Sequence, residues 1–278
     1  MQNDPQKPRQ ILPWRECNKQ GKPRATFHNA KVGLVNIGIT VKHDLFHDLT
    51  IIGHSDSNVT HDVRPLYGEL SDPTLIRLRT LFSEAYEFDV GANNIFDAVK
   101  ALAFENCFDP ILDLCDEAQA LWETGRVPRL DRFAPDYLNT EDTELNRAVS
   151  RKHMIASVRR ARNPGCQYQL MPILESEGGW NKSSAIRIIA GEENFSDENI
   201  LATRGKEAME LLKTIWHHEN PELAGIRKSE VEHVKSYISR QYDMHRPAYG
   251  KVLVKQPRRS VEWGTTNDSE YLPSRTRW

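Results

Sequence analysis

The chain has 278 residues, 38% of them hydrophobic and 27% charged, with a formal net charge of −2. That length accommodates one large domain or two ordinary ones, with the make-up of a water-soluble globular protein. The near-neutral balance excludes a global electrostatic pull toward nucleic acid or membrane, so any DNA contact must come from local basic patches.

The opening MQNDPQKPRQ has no apolar core, so a secretory signal is not expected. No stretch approaches the roughly 20 apolar residues of a membrane helix. Cys17, Cys107, Cys115 and Cys166 are scattered, with no Cys-x-x-Cys. They read as reduced thiols, and the expected location is cytoplasmic.

Residues 1–27 are polar and carry Pro5, Pro8, Pro13 and Pro23, which predicts a flexible lead-in. Helices are expected over 73–86, 94–106 and 109–123. In the second, Ile95, Val99, Leu102 and Phe104 form an apolar face, with Asn93 and Asn94 as candidate caps. A turn-like segment, 125–139, precedes a long amphipathic helix over 143–162, stopped by Asn163-Pro164-Gly165. From there an apolar run, 167–174, leads into a Gly-containing turn. A helix is then expected from Lys182 to Ala190, ending at Gly191.

Residues 206–219 read as a helix followed by a short buried strand. Residues 229–240 read as a helix with Val231, Val234 and Ile238 on one side and a capping box of Ser229 and Glu232. Strands are expected over 251–256 and 259–267. Strand-turn-helix units in this order predict an α/β core with a mostly parallel sheet, from residue 141 onward. A mainly helical domain over 28–140 precedes it.

The turn carries the chemistry. A phosphate-binding loop has glycine, four residues, glycine, lysine, then serine or threonine. Glycines let backbone N–H groups face the phosphates, lysine neutralises them, and the hydroxyl ligates Mg²⁺. The frame here is Ser176-Glu177-Gly178-Gly179-Trp180-Asn181-Lys182-Ser183, followed by Ser184. Serine and asparagine stand at the two glycine positions. Asparagine is the non-glycine residue most tolerant of positive φ, so the loop can still close. Glu177 must point away from bound phosphate. Pro172 is awkward in a central strand. Taken alone, the loop could equally be an ordinary helix start with an incidental lysine.

An ATPase also needs carboxylates at the end of a neighbouring strand, and a polar residue on a strand between them and the loop. TIWHHENPEL offers Glu219 and Glu222. SVEWGTTN ends in Thr265, Thr266 and Asn267, and RPAYGKVLVKQPRR before it reads as a basic hairpin.

These stretches, with GRVPRLDRFAPDYLNTEDTELNRAV and IWHHENPELAGIRKSEVEHVKSYISRQYDMHRPAYG, resemble the virulence-associated protein E family over roughly residues 28–278. That family comprises P-loop ATPases of phages, plasmids and integrated elements, similar to superfamily 3 helicases and often linked to primase activity. The resemblance implies ATP and Mg²⁺ as cofactors, with Ser176, Gly178, Gly179, Asn181, Lys182, Ser183 and Ser184 around the phosphates. It implies Ser183 and Glu219 at the metal, Glu219 and Glu222 as the second motif, and Asn267 as the γ-phosphate sensor. It further implies DNA, single-stranded, at a hairpin bearing Lys251, Lys255, Arg258 and Arg259, a homo-oligomeric ring, and a primase partner.

The chain departs from the family at its end. Members usually continue from Tyr-Leu into Gly-Asn-Arg-Arg-Phe-Trp, with an arginine suited to a neighbour's ATP; here the last residues are SRTRW. Arg275 and Arg277 have no secure match, and a C-terminally incomplete ATPase domain is expected. The alternative is therefore a non-hydrolysing module that binds DNA or a replication partner.

Two further groups stand out. His43 and His47 with Asp44 and Asp48 read as solvated or structural residues rather than a metal site. Arg159, Arg160 and Arg162 end a helix, where they complement its dipole or meet a nucleic-acid backbone.

Overall fold

The computed structural model describes residues 12–55, 63–125, 129–198, 212–221, 234–245 and 254–268. The chain divides into two compact units, Met1–Pro110 and Ile111–Trp278, earlier than the boundary expected near residue 140.

In the first unit, helix α1 (Phe27–Ile37) is capped by Thr26, whose side chain accepts from the Asn29 amide. Gly38 ends it at φ 100°, a left-handed conformation suited to glycine. Strand β1 (Ile39–Asp44) turns back into β2 (Leu49–His54), pairing Val41 with Ile52. Strand β3 (Gly68–Glu69), helices α2 (Asp72–Tyr86) and α3 (Ala92–Glu105), and strand β4 (Cys107–Phe108) follow. The sheet runs β3-β2-β1-β4.

This sheet was not expected, although helices still make up most of the regular structure before residue 140. Ile39 and Val41 are buried between less buried Thr40 and Lys42. That period-2 signal lasts only a few residues, too short to outweigh the long helical periodicities around it. The core joins Leu34, Ile37, Ile52, Leu78, Phe82, Ile95, Val99 and Leu102. Phe104, expected on the apolar face of α3, is exposed instead. Gly91, not Asn93 or Asn94, is the N-cap of α3, and Asn94 Nδ2 donates to the Val90 carbonyl.

Residues 12–26 are anchored rather than loose. Trp14 packs edge-on against Tyr86, ring centroids 4.7 Å apart. The buried Asn29 side chain accepts from the amides of Arg15 and Glu16 and donates to the carbonyls of Glu16 and Arg24. Buried backbone polar groups need such partners, and one amide side chain supplies them here.

The second unit holds most of α4 (Pro110–Glu123), then α5 (Phe133–Leu138) and α6 (Glu144–Arg162). The Thr143 hydroxyl caps α6 by accepting from the Asn146 amide. Next come β5 (Ile173–Glu175), α7 (Lys182–Ala190), β6 (Phe195–Ser196) and β7 (His217–Asn220). A helical stretch at 234–238 leads to β8 (Tyr242–His245), β9 (Val254–Pro257) and β10 (Val261–Thr266). The main sheet is β5-β10-β7-β6, with every pairing parallel. β8 and β9 form a separate antiparallel ribbon; β9 falls within the expected basic hairpin at 246–259, β8 precedes it, and 246–253 lie outside the described residues.

Two hydrophobic clusters lie in this unit. Trp263 packs with Ile186, Ala190 and Phe195, while Leu212, Val234, Tyr237 and Ile238 form the other cluster. Because β5 is an edge strand starting after Pro172, the proline breaks no ladder; its carbonyl accepts from the Gly264 amide. Of the capping box, Ser229 and Glu232 lie outside the described residues.

Candidate functional site

Residues 176–181 join the end of β5 to the start of α7. Two of them adopt left-handed backbone, Gly179 at φ 86° and Asn181 at φ 55°. Asn181 is the N-cap of α7, yet its side chain makes no capping hydrogen bond. A helix N-terminus without a side-chain cap offers N–H groups and a positive dipole end to an anion. A side chain added at Gly178 would meet no atom within 4 Å, so the space beside the loop is open. Trp180 is 62% exposed and Ser184 is exposed; Glu177 is also turned to solvent.

Lys182 folds back over the loop. Its Nζ lies 2.9 Å from the Ser176 carbonyl, 2.9 Å from Ser176 Oγ, 3.1 Å from the Glu177 carbonyl and 2.9 Å from Asn267 Oδ1. The cation thus ties the first residue of the loop to the residue just past β10.

One residue on, Ser183 Oγ donates to Glu219 Oε1 at 2.8 Å. Glu219 sits in β7 and is fully buried. Thr265 Oγ1, on β10, donates to the same oxygen at 2.5 Å. Glu219 Oε2 is buried without a hydrogen-bond partner. The sheet order explains the convergence. β10 is inserted between β5 and β7, so the ends of three strands deliver the loop, Asn267 with Thr265, and Glu219 to one place. Glu222 lies outside the described residues.

The sequence marks Thr265 only as one of three polar residues ending its strand, with no link to Glu219. The available signal was alternation: Trp263 and Thr265 share a face of β10, and Trp263 is paired with Glu219 in the parallel register.

Neighbouring buried polar groups brace these strands. His218 Nδ1 lies 2.8 Å from Glu262 Oε2, which also accepts from Asn220 Nδ2. Burial alone would lower the His218 pKa, but the charge and hydrogen bond of Glu262 outweigh it and hold the imidazole above its ordinary value. Burial opposes ionisation of Glu262 too, yet His218, Arg258 and Asn220 hold its pKa below the usual range. On the strand face shared with Glu219, His217 Nδ1 accepts from Trp263 Nε1 at 2.9 Å. Complete burial pushes the His217 pKa down to about 3, so it stays neutral there.

The basic candidates separate. Lys255 is exposed on β9, its Nζ 4.1 Å from the Tyr242 ring centroid. Arg258 is 3% exposed. It donates to both Asp243 oxygens, at 2.7 and 3.0 Å, and to the Tyr237 carbonyl at 2.6 Å. The expectation that Arg258 faces DNA is therefore corrected: its guanidinium is held in a buried ion pair that seals the base of the ribbon. Arg259 is half-buried and donates to the Ala161 carbonyl. Lys251 lies outside the described residues, as do Arg275 and Arg277.

Arg160 is also internal, donating to the carbonyls of Ser260 and Tyr168. Arg162 pairs with Asp116. His47 pairs with Asp44 and His43 stands 3.4 Å from Asp48. Among the described residues, no group of three or more His, Cys, Asp or Glu could hold a metal ion, and no helix is long and apolar enough to cross a membrane.

Residues 118–277 match the family model of the virulence-associated protein E-like domain. No curated protein matches the chain. Among solved structures it is similar to the apo structure of NrS-1 C terminal region (305-718), at 10% identity and TM-score 0.45. That match covers 86% of this chain and 56% of the other. It is also similar to the A form apo structure of the same region, at 11% identity, TM-score 0.42 and the same coverage. The chain thus spans little more than half the length of these structures.

Proposed function

The chain belongs to the virulence-associated protein E-like family, and on that premise we propose that its second unit is a P-loop ATPase core. It would bind ATP with Mg²⁺ and act on DNA, as a helicase-like motor, in the replication of a phage, plasmid or integrated element. The observation that carries this reading is the junction of Lys182 with Asn267 and of Ser183 with Glu219, at the ends of adjacent parallel strands.

The residues suit the ligand. Gly178, Gly179, Asn181 and the first turn of α7 present backbone N–H groups to phosphates, with Ser176 and Ser184 at the margins. Lys182 would exchange its loop oxygens for phosphate oxygens. Ser183 and Glu219 supply a hydroxyl and a carboxylate, the hard oxygen donors Mg²⁺ takes while keeping several waters. Bound Mg²⁺ would neutralise charge on the phosphates. Asn267, freed from Lys182, would face the γ-phosphate, and Glu222 would orient the attacking water while Glu219 stays at the metal.

DNA, single-stranded in the first instance, would meet the ribbon through Lys255, Arg259 and Lys251. A ring of copies, a primase partner and a cytoplasmic setting complete the reading. A second reading is favoured by one feature, the engagement of Lys182 by four oxygens of its own chain. A loop closed on itself in that way suits a module that binds DNA or a replication partner without hydrolysing ATP.

The test is Mg-ATP binding by calorimetry, comparing the chain with Lys182→Ala, followed by hydrolysis with and without single-stranded DNA. Binding lost in the variant, with its thermal unfolding intact, is the expected result. Equal binding by both proteins would remove the site assignment. Lysine-dependent binding without hydrolysis would select the second reading.

A further inference from the structure

The two oxygens of the Glu219 carboxylate are unlike. Oε1 accepts from Ser183 Oγ at 2.8 Å and Thr265 Oγ1 at 2.5 Å, whereas Oε2 is buried with no hydrogen-bond partner. A carboxylate only accepts, and two donors saturate one oxygen in a fully buried site. What Oε2 still requires is a donor or a cation, which a buried water or a ligand's cation would supply, since a buried polar atom left unmatched is destabilising.

We propose that Thr265 is a positioning residue, which holds Glu219 so that Oε2 is the oxygen turned toward the Mg²⁺ accompanying the nucleotide. The proposal rests on the nucleotide reading above. Carboxylate torsions are broad and roughly two-fold, so without a second anchor the two oxygens could exchange places. Ser183 cannot be that anchor alone, because its oxygen is itself assigned to the metal. Thr265 is suited to it. It lies on β10, paired on both sides with β5 and β7, and its side chain is buried. Its hydroxyl has one hydrogen, and that hydrogen is directed at Oε1.

The experiment measures binding of a fluorescent ATP analogue as Mg²⁺ is titrated, and again in EDTA, for the wild type, Thr265→Val, Thr265→Ser and Lys182→Ala. In Thr265→Val the Mg²⁺ concentration for half-saturation is expected to rise about 10–100-fold, the usual loss when a partner of a metal ligand is removed. Binding in EDTA stays at the wild-type level while the unfolding midpoint falls modestly with the lost buried hydrogen bond, and Thr265→Ser restores the Mg²⁺ dependence. A merely structural threonine would instead weaken binding equally with and without metal, which overturns the proposal. An unchanged Mg²⁺ dependence in Thr265→Val also overturns it, while lysine-dependent binding by the wild type leaves the nucleotide site standing. Absence of wild-type binding, or binding unaffected by Lys182→Ala, removes both.

Discussion

Lys182 and Asn267 stand 85 residues apart in the chain and are joined by a hydrogen bond of 2.9 Å, from Nζ to Oδ1. The lysine opens α7 and the asparagine follows β10, so the bond spans the gap between a helix start and the end of a neighbouring strand. A phosphate entering that gap would replace the amide oxygen as the partner of the cation. The pair links the loop to the residue that follows the strand behind it, beside the backbone bond from the Ser176 amide to the Thr266 carbonyl.

Gly178→Ala separates binding from folding. No atom lies within 4 Å of the added carbon, and Gly178 is not among the positive-φ glycines. The unfolding midpoint should hold or rise slightly, since alanine restricts the unfolded chain by about 0.4–1 kcal/mol. Mg-ATP affinity should fall by about 1.5–3 kcal/mol, the range for a hydrogen bond to a charged group, because the methyl crowds the phosphates. Calorimetry and thermal melts on the same preparation check both. Unchanged affinity would mean the open space beside the loop is not where phosphate lies.

Arg258 and Lys255 should give opposite phenotypes. Arg258→Ala leaves Asp243 buried with only Arg240, 4.0 Å away, as a cation partner and should destabilise by about 3 kcal/mol in urea unfolding. Lys255→Ala removes only an exposed contact over Tyr242 and should change stability by less than about 1 kcal/mol. It should instead weaken single-stranded DNA binding and reduce the salt slope by about one unit. Fluorescence anisotropy at several salt concentrations decides the matter; an unaltered slope would take Lys255 off the DNA surface.

Stability should depend on pH through the buried histidines. Burial pushes the His217 pKa down to about 3, so its contribution is whole above about 6.5 and is lost as pH falls toward about 3. His218 has the reverse sign. Its pKa is raised, so its contribution is present below about 6.5 and is lost as pH climbs through the folded value. Glu262 has a lowered pKa and contributes above about 4.3, losing that as pH falls through its folded value. Melting temperature against pH should show an acid limb that flattens in His217→Gln. An alkaline limb should disappear in His218→Gln. Limbs that persist in both variants would assign the pH dependence to other groups.

Helix α7 was legible in the residues because its signals are adjacent in sequence. Asn181 accepts the left-handed turn, the apolar spacing runs from Lys182 to Ala190, and Gly191 ends it. Helices α2, α3, α4 and α6 were readable for the same reason, since a 3.6-residue period repeats over three or more turns. The family's motifs added Lys182, Ser183, Glu219 and Asn267 by their order along the chain.

Other features depended on residues far apart in sequence. The short strands β1 and β2 become a sheet only by pairing with each other, and an alternation of a few residues did not announce it. Arg258 reads as one more cation in a basic run until Asp243 and Tyr237 close around it. Thr265 is an ordinary strand residue until β10 enters between β5 and β7 and brings its hydroxyl to Glu219. The sequence by itself determined the local elements and the kinds of side chain available, because propensity, capping and periodicity act within a few residues. Only the tertiary structure decided which cations are buried, where β10 lies and which oxygen of Glu219 is left to accept, because burial and strand order arise from contacts across the whole unit.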